Sequence, residues 1–183
     1  MAAATQSART DPRFARASQL YKELAESIQP YRALKEKTGE FNRLVRELHD
    51  LGLQDAEYVG LRLDAHHIIE NTWYKAFAKD FQAVFQWHSG ADMDAVALHT
   101  ELHIRSGDKM AQNLQLLGAE GYSSLTKALQ DFLEQERARA GGRFRSLADL
   151  IEAHERFYQQ RQQKYWPRLQ AWFARRKAQA KRI

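Results

Sequence analysis

His66 and His67 stand side by side in "LDAHHIIENTWY", residues 63 to 74, and His99 and His103 stand four apart in "DAVALHTELH". A core gains nothing from adjacent imidazoles, because sequence neighbours do not share one partner surface. In a metal-dependent hydrolase, by contrast, one imidazole can sit on the ion and its neighbour on the attacking water. An H-x3-H pair on a helix brings both rings to one face, one turn apart, and such a pair can clasp a single cation. Imidazole also suits the base role at neutral pH, since its reference pKa lies near 6.5. Taken singly, each histidine keeps a structural reading. His99 can precede a helix cap at Thr100, His103 can lie at a core edge, and His66 can hydrogen-bond a backbone carbonyl.

The elements that must position these residues can be read from patterning. Asp11-Pro12 is a helix-start signal, and Phe14, Ala17, Leu20, Tyr21, Leu24 and Ile28 then recur at helical intervals. Pro30 opens a second helix, interrupted or weakened at Gly39 and closed by Gly52, which makes an N-terminal helical hairpin. Helical periodicity fades between Gly52 and His67, where "EYVGLRLDAHHI" alternates enough to predict an extended piece. From Glu70, the residues Trp73, Phe77, Phe81 and Val84 return at helical spacing. "HSGADMDAVALHTELH" reads as a loop, a brief extended "AVAL" and a helix starting near Thr100 and ending at Gly118. A helix capped at Ser123 or Ser124 is broken by Gly141-Gly142, Ser146 caps the next, and Pro167 starts the last. The expected fold is mainly α: one helical domain with a small irregular centre around residues 58–115. Its parts are a hairpin over 1–52, a core over 53–118, and C-terminal helices with a basic tail over 119–183.

Bulk composition narrows the chemistry. The 183 residues are enough for one domain with a sizeable core. The absence of cysteine removes disulfide scaffolds, thiolate metal sites and cysteine nucleophiles, so a metal must sit on His, Asp, Glu or backbone oxygen. No apolar run approaches the roughly 18 residues of a membrane helix, and the N-terminus has no apolar core of a secretory signal. The net charge is +5, but residues 161 to 183 carry eight basic and no acidic residues, which leaves −3 for the rest. Tyr165, Trp166, Trp172 and Phe173 are interleaved with those cations, as on a nucleic-acid contact surface. The same pattern suits a terminal helix whose aromatics pack inward, and one amphipathic helix can do both.

The order of parts, an extended segment ending in His-His, then a loop, then an apolar extended segment leading into a His-bearing helix, matches a ββα-metal layout. "GLRLDAHHIIE" followed by "DAVALHTELH" resembles the His-Asn-His/endonuclease VII-type nuclease domains of bacterial polymorphic toxins, over roughly residues 58 to 115. The resemblance implies a ββα-metal centre and a divalent cation (Mg, Zn or Ni). His67 would be the general base, His66 a metal ligand beside it, and His103 and His99 further ligands from the helix side. Glu70 would be a direct or supporting carboxylate, and Asn71 is a candidate orienting amide. Arg62, Arg105 and Lys109 would hold phosphates, with Arg175 and Arg176 adding sequence-independent backbone affinity. The chain departs from the family at Asn71-Thr72-Trp73, where related boxes carry an arginine, and in the long stretch between His67 and His99. As a toxin, it would meet a cognate immunity protein, acidic at its contact. With no signal of its own, it would be delivered by a secretion system and act in the target-cell cytoplasm. The contrasting reading is a non-catalytic helical module that binds nucleic acid or protein and uses its histidines structurally.

Overall fold

Asp11 opens the first helix by the expected chemistry: its side chain accepts the Arg13 N–H at 2.9 Å, and Pro12 takes the first helical position. The computed structural model describes residues 10–52, 62–99, 125–161 and 166–181. Within them the chain is mainly helical with a small three-stranded antiparallel sheet. The elements are α1 (Pro12–Glu26), β1 (Gln29–Pro30), α2 (Tyr31–Asp50), β2 (Leu63–His67), α3 (Ala78–Phe85), β3 (Asp94–His99), α4 (Leu125–Arg139), α5 (Leu147–Arg161) and α6 (Trp166–Ala180), with 3-10 turns at Asn71–Trp73 and Gly90–Asp92. No helix among the described residues is long and apolar enough to cross a membrane. The expected helix start near Thr100, its end at Gly118 and the cap at Ser123 or Ser124 lie outside the described residues.

Two compact units emerge, and neither is continuous in sequence. One contains residues 1–66 and 94–100, the other 67–93 and 101–183. In the first, Ala17, Leu20 and Leu24 of α1 meet Leu34, Phe41, Leu44 and Leu48 of α2, each set at helical spacing. Leu63 and Ala65 of β2 and Ala95 and Ala97 of β3 close that core from the sheet side. Alanines at these two β3 positions keep the strand surface low beneath the helices. Arg16 pairs with Glu40 at 2.8 Å and Lys37 with Glu23, both across the hairpin.

The helix α2 runs through Gly39 without interruption, because nothing crowds that position and the flanking leucines and Phe41 carry the packing. Gly52 ends the turn with a φ of +69°, as a glycine after a helix can. The break at Pro30 is more than a loop: Gln29 pairs with Ala95 and Pro30 with Asp94, so this dipeptide is an edge strand. β3 lies between β1 and β2. Asn42 on α2 brackets the start of β2, donating to the Leu63 carbonyl at 2.7 Å and accepting the Leu63 N–H at 2.9 Å.

In the second unit, the helix expected from Glu70 starts only at Ala78. Glu70 caps a 3-10 turn instead, and a run of turns follows before α3. Gln86 then ends α3 in the left-handed region at φ +59°. Tyr74 stacks on Phe81 with ring centroids 5.7 Å apart, and Trp87 sits against both Phe81 and Phe85. Between α4 and α5, Gly142 donates to the Arg137 carbonyl and Gly141 to that of Ala138. Those paired bonds, with both glycines at positive φ, make a Schellman-type stop. Ser146 and Asp149 cap α5 reciprocally: the Asp149 N–H reaches Ser146 Oγ, and the Ser146 N–H reaches the Asp149 carboxylate, each at 3.1 Å. The aromatics of α6 do pack inward, for Trp172 and Phe173 are buried and Phe173 meets Tyr158 of α5.

Candidate functional site

β2 carries both histidines of the pair, and successive side chains on a strand leave opposite faces. His66 is buried, with 3% of its surface exposed, and His67 is half-buried. Strand geometry therefore sends apart the two rings that the sequence reading brings to one ion and its water. His99 ends β3, its side chain and the whole of His103 lying outside the described residues along with Arg105 and Lys109. Among the described residues, no group of three or more His, Asp or Glu side chains gathers as a cation requires.

His67 makes the most informative contact. Its Nε2 lies 2.8 Å from the carbonyl oxygen of Gly90. A carbonyl only accepts, so Nε2 carries the hydrogen, and in the neutral ring the lone pair belongs to Nδ1. The contact selects the tautomer a base would need. Behind Gly90 stands Asn71: a Cβ built on Gly90 would fall 2.3 Å from Asn71 Oδ1 and 3.0 Å from its Cγ. A side chain at this position would push the exposed Asn71 amide aside.

The loop that presents the Gly90 carbonyl is itself secured. Tyr74 donates its hydroxyl hydrogen to the Trp87 carbonyl at 3.1 Å. Asp92 accepts the His88 N–H and the Ser89 hydroxyl at 3.1 and 3.0 Å, and Ser89 Oγ accepts the Ala91 N–H at 3.2 Å. Buried Met93 anchors the far end. His67 is thus held by a short polar loop pinned between an aromatic cluster and a core methionine.

Glu70 is almost fully buried and turns to structure. One carboxylate oxygen accepts the Thr72 N–H at 2.7 Å as well as the Thr72 hydroxyl, and the other faces the Gln130 amide at 3.4 Å. Its backbone N–H donates to His154 Nε2 at 2.9 Å, while His154 Nδ1 donates to the Leu150 carbonyl at 2.8 Å. Complete burial pushes the His154 pKa down to about 4, against weaker raising effects of the Leu150 carbonyl and the Glu70 charge. A neutral His154 suits this place, because its Nε2 must accept. The sequence reading left His154 out of the site; its partner lies 84 residues away. Gly90 was missed for the same reason, having no motif to mark it.

The cations assigned to nucleic acid divide. Arg62 and Arg175 are exposed. Arg176 is folded into an aromatic cluster, its guanidinium 4.7 Å from the Phe85 centroid, 5.3 Å from Trp87 and 5.7 Å from Trp172. Lys177 pairs with Glu155, and Lys181 with Glu152 at 3.3 Å. The basic tail therefore spends part of its charge fastening α6 to α5.

No protein-family model, curated protein or solved structure matches the chain.

Proposed function

We propose that the protein is a nuclease of toxin type that hydrolyses phosphodiester bonds, DNA before RNA, with His67 as general base. The observation that carries this reading is the 2.8 Å contact between His67 Nε2 and the Gly90 carbonyl, with the Asn71 amide packed behind it. In the reaction, His67 Nδ1 takes a proton from water as the water oxygen bonds to phosphorus. The bond from phosphorus to the 3′ oxygen breaks, and a proton returns to that oxygen. The Gly90 carbonyl stabilises the imidazolium that forms, since its hydrogen bond strengthens when the ring is charged.

A divalent cation, when bound, would neutralise charge on the leaving oxygen. The family resemblance names His66, His99 and His103 to hold it; His66 leaves β2 on the face opposite His67, which leaves His99 and His103 for that role. The resemblance also supports an effector role: delivery by a secretion system into the cytoplasm of a target cell, and a cognate immunity protein with an acidic contact face.

Purified protein incubated with plasmid DNA and with total RNA, each with magnesium, zinc, nickel or EDTA, tests the reading. Cleavage is expected with at least one ion and should fall by about a hundredfold or more in His67→Ala, the scale of a lost general base. Cleavage unchanged by His67→Ala removes this residue from the mechanism. No cleavage of any substrate by the parent protein returns the chain to a non-catalytic binding module with structural histidines.

A further inference from the structure

The turn between α4 and α5 reads "RARAGGRFR", residues 137 to 145, with four arginines and no acid. Beside it lies a cavity of about 550 Å³, lined by Arg139, Phe144, Arg145 and Arg156 together with three carboxylates. Those carboxylates are committed. Glu136 accepts from Arg156 Nε at 2.9 Å and from Arg139 at 2.7 Å. Burial opposes its charge, but the two arginine hydrogen bonds outweigh that and hold its carboxyl below the usual value. Asp149 is turned to the N–H groups of Arg145 and Ser146, and Glu152 pairs with Lys181. Two guanidiniums on the single Glu136 carboxylate leave a surplus positive charge. Arg143 and Arg145 are exposed, and no ion pair among the described residues engages either.

This corner is tied to the segment that follows His67. Phe144 is buried and meets Trp73 edge to face, with centroids 5.1 Å apart and planes at 71°. Trp73 closes the 3-10 turn that begins at Asn71. One aromatic contact therefore separates the arginine corner from the turn that bears the amide behind Gly90.

We infer that the α4–α5 corner, through Arg139 and Arg145 at this cavity and exposed Arg143 in the same turn, is a docking site for the phosphodiester backbone of a nucleic acid. Guanidinium groups match phosphate oxygens in a forked geometry, and an anion here displaces no ion-pair partner of Arg143 or Arg145 among the described residues. Its role in presenting a strand to His67 rests on the proposed nuclease reading; the binding itself does not.

The test compares Arg143→Ala/Arg145→Ala with Lys22→Ala/Arg32→Ala, an equal loss of charge at exposed positions of α1 and α2. Both pairs are made in a His67→Ala background so that substrate stays intact, and circular dichroism checks that each is folded. Binding to a short labelled DNA duplex and to a labelled RNA strand is followed by anisotropy between about 50 and 200 mM salt. The corner pair should weaken binding about 10- to 100-fold and flatten the logarithmic salt slope by about 2, as loss of two phosphate contacts requires. The control pair should leave the slope within about half a unit. Whichever of the DNA and RNA arms shows the effect is the backbone taken. Equal behaviour of the two pairs, or no binding of either nucleic acid by the parent protein, overturns the inference. Parent protein that binds through the corner yet cleaves nothing leaves the docking site standing and removes only the nuclease reading.

Discussion

The Nε2 of His67 and the carbonyl of Gly90, 23 residues apart in sequence, meet at 2.8 Å, with the Asn71 amide lying against the same glycine. Gly90 does not sit in the left-handed region, so what a side chain there would meet is the Asn71 amide.

Gly90→Ala should therefore swing the Asn71 amide aside at a cost below about 1 kcal/mol, because Asn71 is exposed and the clashing atoms are the far end of its flexible side chain. Asn71→Ala removes those atoms, so the double variant should recover that small loss. Urea denaturation of the four proteins measures the coupling, expected to stay below about 1 kcal/mol. A loss of about 2 kcal/mol or more in Gly90→Ala would mean that the methyl is resisted by something other than Asn71.

His154 makes stability sensitive to mild acid. Its folded pKa, about 4, lies below the ordinary 6.5, so between these values the unfolded chain holds a proton that the native protein does not. Stability from this group is present above about pH 6.5, declines as pH falls, and is gone below about 4, to a total of about 3 kcal/mol. Denaturant midpoints followed from pH 7.5 down to 4 should show the decline in the parent and a smaller one in His154→Gln. Equal slopes in the two proteins would assign the acid sensitivity to other groups.

Arg176 should prove structural before it proves electrostatic. It faces Phe85, Trp87 and Trp172, and partly desolvated contacts of this type contribute about 1–2 kcal/mol. Arg176→Ala is expected to lower the melting temperature by several degrees while leaving the salt dependence of nucleic-acid binding close to that of the parent. Arg175→Ala, at an exposed neighbouring position, should do the reverse. A stable Arg176→Ala protein with a flattened salt slope would restore Arg176 to the binding surface.

What was legible in the sequence was local. Asp11-Pro12, Ser146 and Gly141-Gly142 act on backbone within a few residues, and each does in the structure what its chemistry dictates. The extended "AVAL" and the strand into His67 were readable from alternation. What escaped depends on distant partners. Gln29-Pro30 is a strand only because β3 lies alongside, and the regular spacing of Trp73, Phe77 and Phe81 serves separate ring contacts, Trp73 with Phe144 and Phe77 with Phe81, rather than one continuous helix. The same limit governs the site. The histidine pair and Asn71 stood out by type, but Gly90, which turns one of them into a defined tautomer, carries no signal of its own.

The strand between β1 and β2 is synthesised last of the three, after the whole excursion from residue 67 to 93. A nascent chain stopped before Asp94 holds two outer strands with nothing to hydrogen-bond between them, and its helical hairpin lacks the alanine floor. Cutting this gene product anywhere in that excursion would yield two pieces, each missing part of a sheet or the segment that leads into its own unit. Assembly of the N-terminal unit must therefore wait on the ribosome.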